Sequence, residues 1–101
     1  DLFAAGMILF IMVSQHPPFL EAKTTDPFYK MIAGHRPDLF WSRHEESGAT
    51  FSEELKDLLT RMFQVEPEHR PSMSEIMSHP WIHIQLLNLE VAMCMSQLDI
   101  A

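Results

Sequence analysis

The stretch LKDLLTRMFQVEPEHRPSMSEIMSHPW, residues Leu55–Trp81, decides how this sequence folds. Its first half repeats apolar side chains every three or four residues, the pattern of an amphipathic helix. These side chains are Leu55, Leu58, Leu59, Met62 and Phe63. Ser52 precedes this helix in a capping position. Ser72 and Glu75 form the S-x-x-E capping box that begins another helix, and we expect Pro80 to end that helix.

Toward the N-terminus, residues Leu2 to Val13 form an apolar run that Gly6 alone interrupts. We expect a helix here, and a helix without a polar face must be buried all round. A buried strand is the competing interpretation, because Ile8 and Ile11 are β-branched. Gly6 costs about 1 kcal/mol inside a helix and is tolerated where another backbone comes close. The run is too short to span a bilayer, which needs about 20 residues.

Between these segments, Asp26 and Pro27 predict the start of a short helix, with Asp26 as its cap and Pro27 at its first position. Apolar residues 28, 31 and 32 form one stripe on it. Gly34 is expected to take the left-handed position at its C-terminal end.

The segment Pro37–Ala49, PDLFWSRHEESGA, is predicted to be an irregular loop. Phe40 and Trp41 are large apolar anchors that would pin this loop to the body of the protein. The run His44-Glu45-Glu46 could mimic an acid–base group, but a solvated loop is the favoured interpretation.

From Trp81 onward, a last helix is predicted, with two apolar stripes and only Glu90 and Asp99 as charges. The stripes need burial against the same molecule or against another chain. Cys94 is the single cysteine, so no intramolecular disulfide can form. We expect its thiol to be a small buried apolar group.

The composition of the chain argues against some classes of function. The chain has 101 residues, 47% of them apolar, and a net charge of −7. No basic stripe is present, so binding of nucleic acid or of an anionic membrane is not expected. A reducing, cytoplasmic location is the default expectation for such a chain. Because the chain begins at Asp1, we expect a fragment, a processed product or a partial reading frame.

Three signals in order carry a resemblance to a known family. They are DLFAAG (Asp1–Gly6), HPPF (His16–Phe19) and the stretch Leu55–Trp81. Together they resemble the large lobe of eukaryotic protein kinases, from its central buried helix to its end, over about four-fifths of the chain. The HPW ending is similar to the serine/threonine branch. The sequence DPFYKMIAG, residues 26–34, is most similar to the calcium/calmodulin-dependent kinase group.

The resemblance implies an all-α fold: a helical subdomain of a kinase large lobe with about four to five helices, forming an incomplete domain. It divides the chain into residues 1–81, the C-terminal part of the kinase domain, and a helical tail of residues 82–101. The family often has glycine where Gln15 stands, before the HPPF turn. Since glycine permits positive φ, Gln15 implies strain or a slightly different turn.

The resemblance also implies structural support of the kinase core by Asp1, Gly6, Arg70 and Trp81. Asp1 matches the aspartate that holds the backbone of the catalytic loop. Arg70 matches the arginine that forms a bidentate pair with the glutamate of the A-P-E motif. Both partners would lie upstream of Asp1. Without the resemblance, Asp1 would be a helix cap or a frayed terminus, and Arg70 a surface side chain beside a turn.

Catalytic, cofactor-binding and metal-binding residues are not expected in this chain. It contains no G-x-G-x-x-G, V-A-I-K, H-R-D or D-F-G motif, and phosphoryl transfer needs all of these functions. ATP and Mg²⁺ are therefore implied only for the intact kinase. His79 and His83 have the spacing of a metal pair on a helix, but Pro80 lies between them and would break that geometry.

Two functions are compatible with these observations. The first is a piece of a serine/threonine protein kinase, active when intact, in which the Asp26–Gly34 helix and the Phe40–Trp41 loop dock protein substrates or regulators. The second is a non-catalytic helical interaction module derived from a kinase lobe, in which residues 82–101 pair with a helix of a partner. An upstream reading frame that encodes H-R-D and D-F-G would favour the first.

Overall fold

Every regular element in the part of the chain that the structure describes is a helix, which confirms the all-α prediction. The computed structural model describes residues 2–100, and side chains over residues 2–97. The six α-helices are α1 (Leu2–Ser14), α2 (Pro27–Ala33), α3 (Pro37–Glu45), α4 (Glu53–Met62), α5 (Met73–Met77) and α6 (Pro80–Ile100). A short 3₁₀ turn, Pro67–His69, follows α4.

The helices fall into two compact units, and the boundary lies between Pro71 and Ser72. The first unit contains α1 to α4 and the 3₁₀ turn. The second contains α5 and α6, which pack against each other. The predicted division after Trp81 stays a prediction.

Phe10 occupies the centre of the first unit and is fully buried. Its ring centroid lies 5.0 Å from that of Phe51, 5.8 Å from that of Trp41 and 6.0 Å from that of Phe40. Large aromatic side chains dominate core energetics, and offset or edge-on pairs add to their burial. The core of this unit is therefore a cluster of rings supplied by α1, α3 and the segments around α4.

Helix α1 approaches α4 closely at Gly6. A β-carbon at this position would lie 3.1 Å from Cβ of Met62 and 3.2 Å from Cε1 of Phe63, so a larger residue would have to displace these side chains slightly. The predicted neighbour of Gly6 was another backbone, but the nearest atoms belong to side chains. The described residues leave most of this apolar helix uncovered, because only Gly6 and Phe10 are buried and Met12 is 69% exposed. Burial of the rest of α1 within a larger protein stays a prediction.

Helix α2 begins as predicted, with Asp26 as its cap and Pro27 at its first position. It ends differently, because Gly34 has φ of −87° and His35 takes the left-handed conformation with φ of 58°. The amide N–H of Arg36 donates to the carbonyl of Met31 at 2.8 Å, which closes a Schellman-type end one residue later than expected. Histidine is one of the residues enriched in the left-handed region.

Helix α3 replaces the loop predicted over Pro37–Ala49, and that prediction was wrong for residues 37–45. Pro37 stands at the first helical position, where proline is favoured. Phe40, Trp41 and His44 are buried on one face of the helix. Phe40 and Trp41 do anchor the segment, as expected, but they do so from a helix.

The capping signals around α4 and α5 are confirmed. The hydroxyl of Ser52 accepts the amide N–H of Leu55 at 3.2 Å. Ser72 and Glu75 form both bonds of the capping box. Pro80 does not end α5, which stops at Met77; it is instead the first residue of α6. Proline fits there because the first helical N–H has no intrahelical partner.

Helix α6 leaves most of its apolar surface exposed. Its exposed large side chains are Ile84, Leu86, Leu87, Leu89, Val91, Met93 and Met95. Cys94 is exposed as well, so the prediction of a buried thiol was wrong. Among the described residues, none of the helices is both long enough and apolar enough to cross a bilayer.

Candidate functional site

The chain reverses direction sharply between α1 and the HPPF segment. Gln15 has φ of 68°, so this position uses the left-handed conformation in which glycine is unstrained. For a residue with a β-carbon the conformation costs about 1–2 kcal/mol. The hydroxyl oxygen of Ser14 lies 2.8 Å from the carbonyl oxygens of both Phe10 and His16, and its single hydrogen can be donated to either. The strain predicted at Gln15 is therefore present.

Two histidines meet directly after this turn. Nε2 of His16 lies 3.2 Å from Nδ1 of His44, and Nε2 of His44 lies 2.8 Å from the carbonyl of Pro18. The carbonyl only accepts, so His44 carries its proton on Nε2 and accepts from His16 through Nδ1. Nδ1 of His16 lies 3.2 Å from the carbonyl of Ser14.

His44 is enclosed by aromatic rings and only 3% exposed. It stacks on Phe28 with 4.2 Å between ring centroids, and it meets Phe40 and Phe10 edge-on at 4.6 and 4.8 Å. Burial, which contributes most, and the neighbouring His16 together lower the pKa of His44 to about 4, although the hydrogen bond to the carbonyl of Pro18 acts in the opposite direction. His44 is therefore neutral at pH 7 and belongs to the core, not to a solvated loop as predicted.

Asp26 ties the HPPF segment to α2. Its Oδ2 accepts the N–H groups of Leu20 and Glu21 at 2.9 and 3.2 Å, and its Oδ1 accepts those of Phe28 and Tyr29 at 2.9 and 3.2 Å. Desolvation alone would raise the pKa of this carboxyl, but the four donors together hold it below its usual value. The carboxylate is a structural clamp whose lone pairs are occupied by the backbone.

A pocket of about 350 Å³ opens beside these groups, and we call it the His44 pocket. It is lined by His16, Pro17, Phe19, Leu20, Asp26, Pro27, Phe28, Arg43, His44 and Ser47. Leu20 is 85% exposed at this pocket. Arg43 is exposed and has no ion pair within the described residues. The pocket is therefore mainly apolar, with one guanidinium available to a ligand.

A second concavity of about 830 Å³ lies between α3 and α4. Its charged lining is mostly acidic: Asp38, Glu45, Glu46, Glu53 and Asp57, with Lys56 as the base. Nζ of Lys56 lies 2.8 Å from Glu45 and 3.3 Å from Glu53. The hydrogen bond to Glu45 contributes most to raising the pKa of Lys56. The lysine therefore fastens α3 to α4.

The structure places three of the four residues expected to support a kinase core, and Asp1 lies outside the described residues. Arg70 donates from Nε to the carbonyl of Gln64 at 2.7 Å and from Nη2 to that of Val65 at 3.1 Å. Its guanidinium carbon lies 4.8 Å from the centroid of Phe3, a cation–π contact. None of the carboxylates in the described residues forms an ion pair with Arg70.

Gly6 and Arg70 lie in the first unit, whereas Trp81 lies in the second, half-buried in the first turn of α6. Neither Gly6 nor Arg70 lines the His44 pocket. The supporting roles of these residues, and that of Asp1, remain predictions. The residues that were expected to support a kinase core therefore do not form the His44 pocket.

The described residues do not fit Mg-ATP. No group of three His, Cys, Asp or Glu side chains among them could hold a metal ion, and Mg²⁺ needs oxygen ligands. Triphosphate binding needs a basic or N–H-lined cradle, but one concavity is acidic and the other mainly apolar. His79 caps α6, with its Nδ1 3.1 Å from the amide of Trp81. No step of phosphoryl transfer follows from these residues.

Sequence reasoning missed the pairing of His16 with His44 and the fourfold role of Asp26. The partners in the histidine pair are 28 residues apart, and a contact over that distance in sequence cannot be predicted from local spacing. One signal was available. Phe40, Trp41 and His44 are spaced as one face of a helix, and a helix would have turned His44 inward with the two anchors.

Comparison with known proteins gives a consistent result. The family model for the protein kinase domain matches residues 1–82. A calcium and calcium/calmodulin-dependent serine/threonine-protein kinase of Oryza sativa subsp. japonica is 32% identical over 82 residues, which are 81% of this chain and 15% of that protein. A calcium/calmodulin-dependent serine/threonine-protein kinase of Malus domestica is also 32% identical over 82 residues, or 19% of its length.

An SNF-related serine/threonine-protein kinase of Homo sapiens is 35% identical over 82 residues, 81% of this chain and 10% of that protein. No solved structure gives a significant match. The chain thus spans less than a fifth of the length of these curated relatives. The resemblance to serine/threonine kinases, including the calcium/calmodulin-dependent group, is confirmed.

Proposed function

Since this chain belongs to the protein kinase domain family, we propose that the intact protein transfers the γ-phosphoryl group of ATP to serine or threonine hydroxyls of other proteins. The family match over residues 1–82 is the observation that carries the proposal. The relatives are serine/threonine kinases by name, and this chain corresponds to a small part of each. The chain itself contributes support and docking, and the chemistry belongs to other residues of the intact protein.

Arg70 is proposed to brace the core by pairing with the glutamate of an A-P-E motif in the intact protein. Support comes from its geometry, because two backbone carbonyls and the ring of Phe3 fix the guanidinium in one position. A guanidinium has five N–H donors, so donors remain for a carboxylate. Asp1, Gly6 and Trp81 are proposed to support the same core, Gly6 by allowing α1 to approach Met62.

ATP and Mg²⁺ are proposed to bind to parts of the intact protein other than the residues described above, since these do not fit them. Protein substrates or regulators are proposed to dock on α2 and α3. These two helices correspond to the Asp26–Gly34 helix and the Phe40–Trp41 segment of the sequence analysis. Neither nucleic acid nor a membrane is a proposed partner, and a cytoplasmic location is part of the same proposal.

A non-catalytic interaction module is the second candidate function. The exposed apolar side chains of α6 favour it, because an apolar helix surface of this kind is commonly covered by another protein segment. In this case, residues 82–101 would pair with a helix of a partner, and phosphate transfer would play no part.

The experiment that separates the two begins with the upstream reading frame of the gene. We expect it to encode H-R-D and D-F-G, and the purified full-length protein should then transfer labelled phosphate from ATP to a mixed serine and threonine peptide substrate. The control replaces the aspartate of H-R-D by asparagine. Full-length protein without measurable transfer under conditions that activate related kinases would contradict the proposal.

Arg70 offers a test within this chain's own sequence. In the full-length protein, Arg70→Lys should lower transfer and the thermal midpoint together, because lysine cannot form the bidentate pair. An unchanged midpoint and rate would remove Arg70 from the supporting set. Titration of this 101-residue chain alone with Mg-ATP should give no saturable signal.

A further inference from the structure

We propose that the His44 pocket is a docking site for an extended segment of a partner protein that carries a bulky apolar side chain followed by a carboxylate. The pocket volume of about 350 Å³ lies at the lower end of the range for ligand pockets, about 300–1,000 Å³. It therefore suits one large side chain with its flanking backbone. This inference deepens the proposed docking role of α2 and α3 and depends on that role.

The apolar part of the proposed ligand follows from the lining. Pro17, Phe19, Leu20, Pro27 and Phe28 contribute five apolar side chains to one concavity. Leu20 is 85% exposed although it borders this concavity, so the described residues leave it uncovered. Burying such a surface against an apolar side chain is favourable at about 25 cal/mol per Å².

The carboxylate follows from the charges that face the pocket. Two charged side chains, Asp26 and Arg43, belong to its lining. Asp26 is 9% exposed, and its oxygens accept four backbone N–H groups, so its charge is compensated internally. Arg43 is exposed and forms no ion pair with another described residue. A guanidinium binds a carboxylate bidentately, which fixes the orientation as well as the sign of the ligand.

The histidine pair also lines the pocket and adds no negative charge to it. The ring of His16 lies 3.2 Å from the carbonyl of Ser14 through Nδ1 and 3.2 Å from Nδ1 of His44 through Nε2. His44 is neutral and donates its Nε2–H to the carbonyl of Pro18. With Asp26 compensated and His44 neutral, the uncompensated charge that faces the pocket is that of Arg43, which favours an acidic ligand over a basic one.

The proposal is tested by fluorescence anisotropy on this chain without ATP. The probe is a fluorescein-labelled short peptide with one phenylalanine followed by two glutamates in a glycine–serine background. One matched peptide replaces the phenylalanine by serine, and another replaces the glutamates by lysines. We expect saturable binding of the first peptide with Kd below about 1 mM, and at least about tenfold weaker binding of the other two.

Variants of exposed side chains locate the binding. Arg43→Glu should weaken the probe about tenfold, since it reverses the charge that selects the carboxylate. Arg36→Glu makes the same change at the other end of α3, outside the pocket, and should leave Kd within about twofold. Leu20→Ala should weaken binding about threefold, and Leu39→Ala, an exposed leucine outside the pocket, should not.

Circular dichroism melting should give the same midpoint for wild type, Arg43→Glu and Leu20→Ala, because both side chains are exposed. Equal binding of the lysine peptide, or a Kd unaffected by Arg43→Glu and Leu20→Ala, would overturn the proposal. Since the assay contains no ATP and measures no transfer, its failure leaves the kinase assignment standing. Loss of transfer in the full-length protein would likewise leave this binding result unchanged.

Discussion

Helices α1 and α6 are both apolar on nearly every side, yet they bury very different parts of their surface. In α1, Phe10 is fully buried among the rings of the first unit. In α6, Leu87 is 60% exposed and Met93 58% exposed. The difference shows that burial depends on partners of matching shape. The rings of α3, and of Phe51 and Phe63 on either side of α4, supply them to Phe10 of α1. In contrast, α6 packs with the five-residue helix α5 in its unit.

Among the variants that test this contrast, Phe10→Ala should have the largest effect on stability. We expect a loss of about 3–5 kcal/mol in the free energy of unfolding, because the substitution leaves a cavity among several rings. Met93→Ala removes an exposed side chain from α6 and should change the value by less than about 0.5 kcal/mol. Urea unfolding followed by circular dichroism measures both. Similar effects for the two variants would contradict the contrast.

Acid should weaken the ring core through His44. Its folded pKa of about 4 lies below the unfolded value of 6.5, so the unfolded chain binds a proton that the folded chain excludes. The stabilising effect is complete above pH 6.5 and is lost as pH falls toward 4, by up to about 3 kcal/mol.

The measurement is the free energy of unfolding at a series of pH values for wild type and for His44→Leu. The difference between the two proteins should vary with pH across this window. His83→Gln removes an exposed histidine of α6 and should leave the pH profile of the wild type unchanged. A flat difference between wild type and His44→Leu would show that His44 is not buried in the neutral form.

Asp26→Ala should cost about 2 kcal/mol, at the upper end for loss of a helix cap, because four N–H groups lose their acceptor. Asp26→Asn keeps one oxygen acceptor and should cost less. Asp38→Ala removes an exposed acid of α3 and should leave the thermal midpoint unchanged within error. If Asp26→Ala melted like wild type, the clamp between the HPPF segment and α2 would be unnecessary to the ring core.

The smallest expected effect is at Gln15. Gln15→Gly relieves the positive φ of 68° but adds chain entropy to the unfolded state, so we expect a gain of about 0.5 kcal/mol. The same exchange at Gln85, inside α6, should cost about 1 kcal/mol. Chemical denaturation of both variants should therefore give changes of opposite sign. A loss of stability at Gln15 would show that the turn is not strained.

The sequence predicted the elements whose signals are local. The helix α4 has regular apolar spacing and a serine cap, and α5 has both residues of a capping box. The start of α2 at Asp26 and Pro27 is equally local. The first helix could be predicted from its apolar run in the same way, but the side chains of Met62 and Phe63 that meet Gly6 could not, because they are more than fifty residues away in the sequence.

The remaining features depend on contacts between distant residues. The segment of helix α3 contains polar residues and is followed by Ser47 and Gly48, so its local pattern indicates a loop. It is a helix because Phe40, Trp41 and His44 pack among the rings of the core. The left-handed end of α2 falls on His35 and not on Gly34, because the hydrogen bonds to Met31 and Ile32 close one residue later. Cys94 is exposed because little of α6 is covered by other residues. The local sequence pattern does not predict how much of a helix is covered.

The central claim is that this member of the kinase family presents apolar helix surfaces that belong against other protein. It is tested most directly by sedimentation equilibrium with 8-anilinonaphthalene-1-sulfonate fluorescence on the 101-residue chain. We predict concentration-dependent association and dye binding, both reduced by Met12→Lys in α1 and by Leu87→Lys in α6. A strictly monomeric chain that binds no dye would contradict the claim.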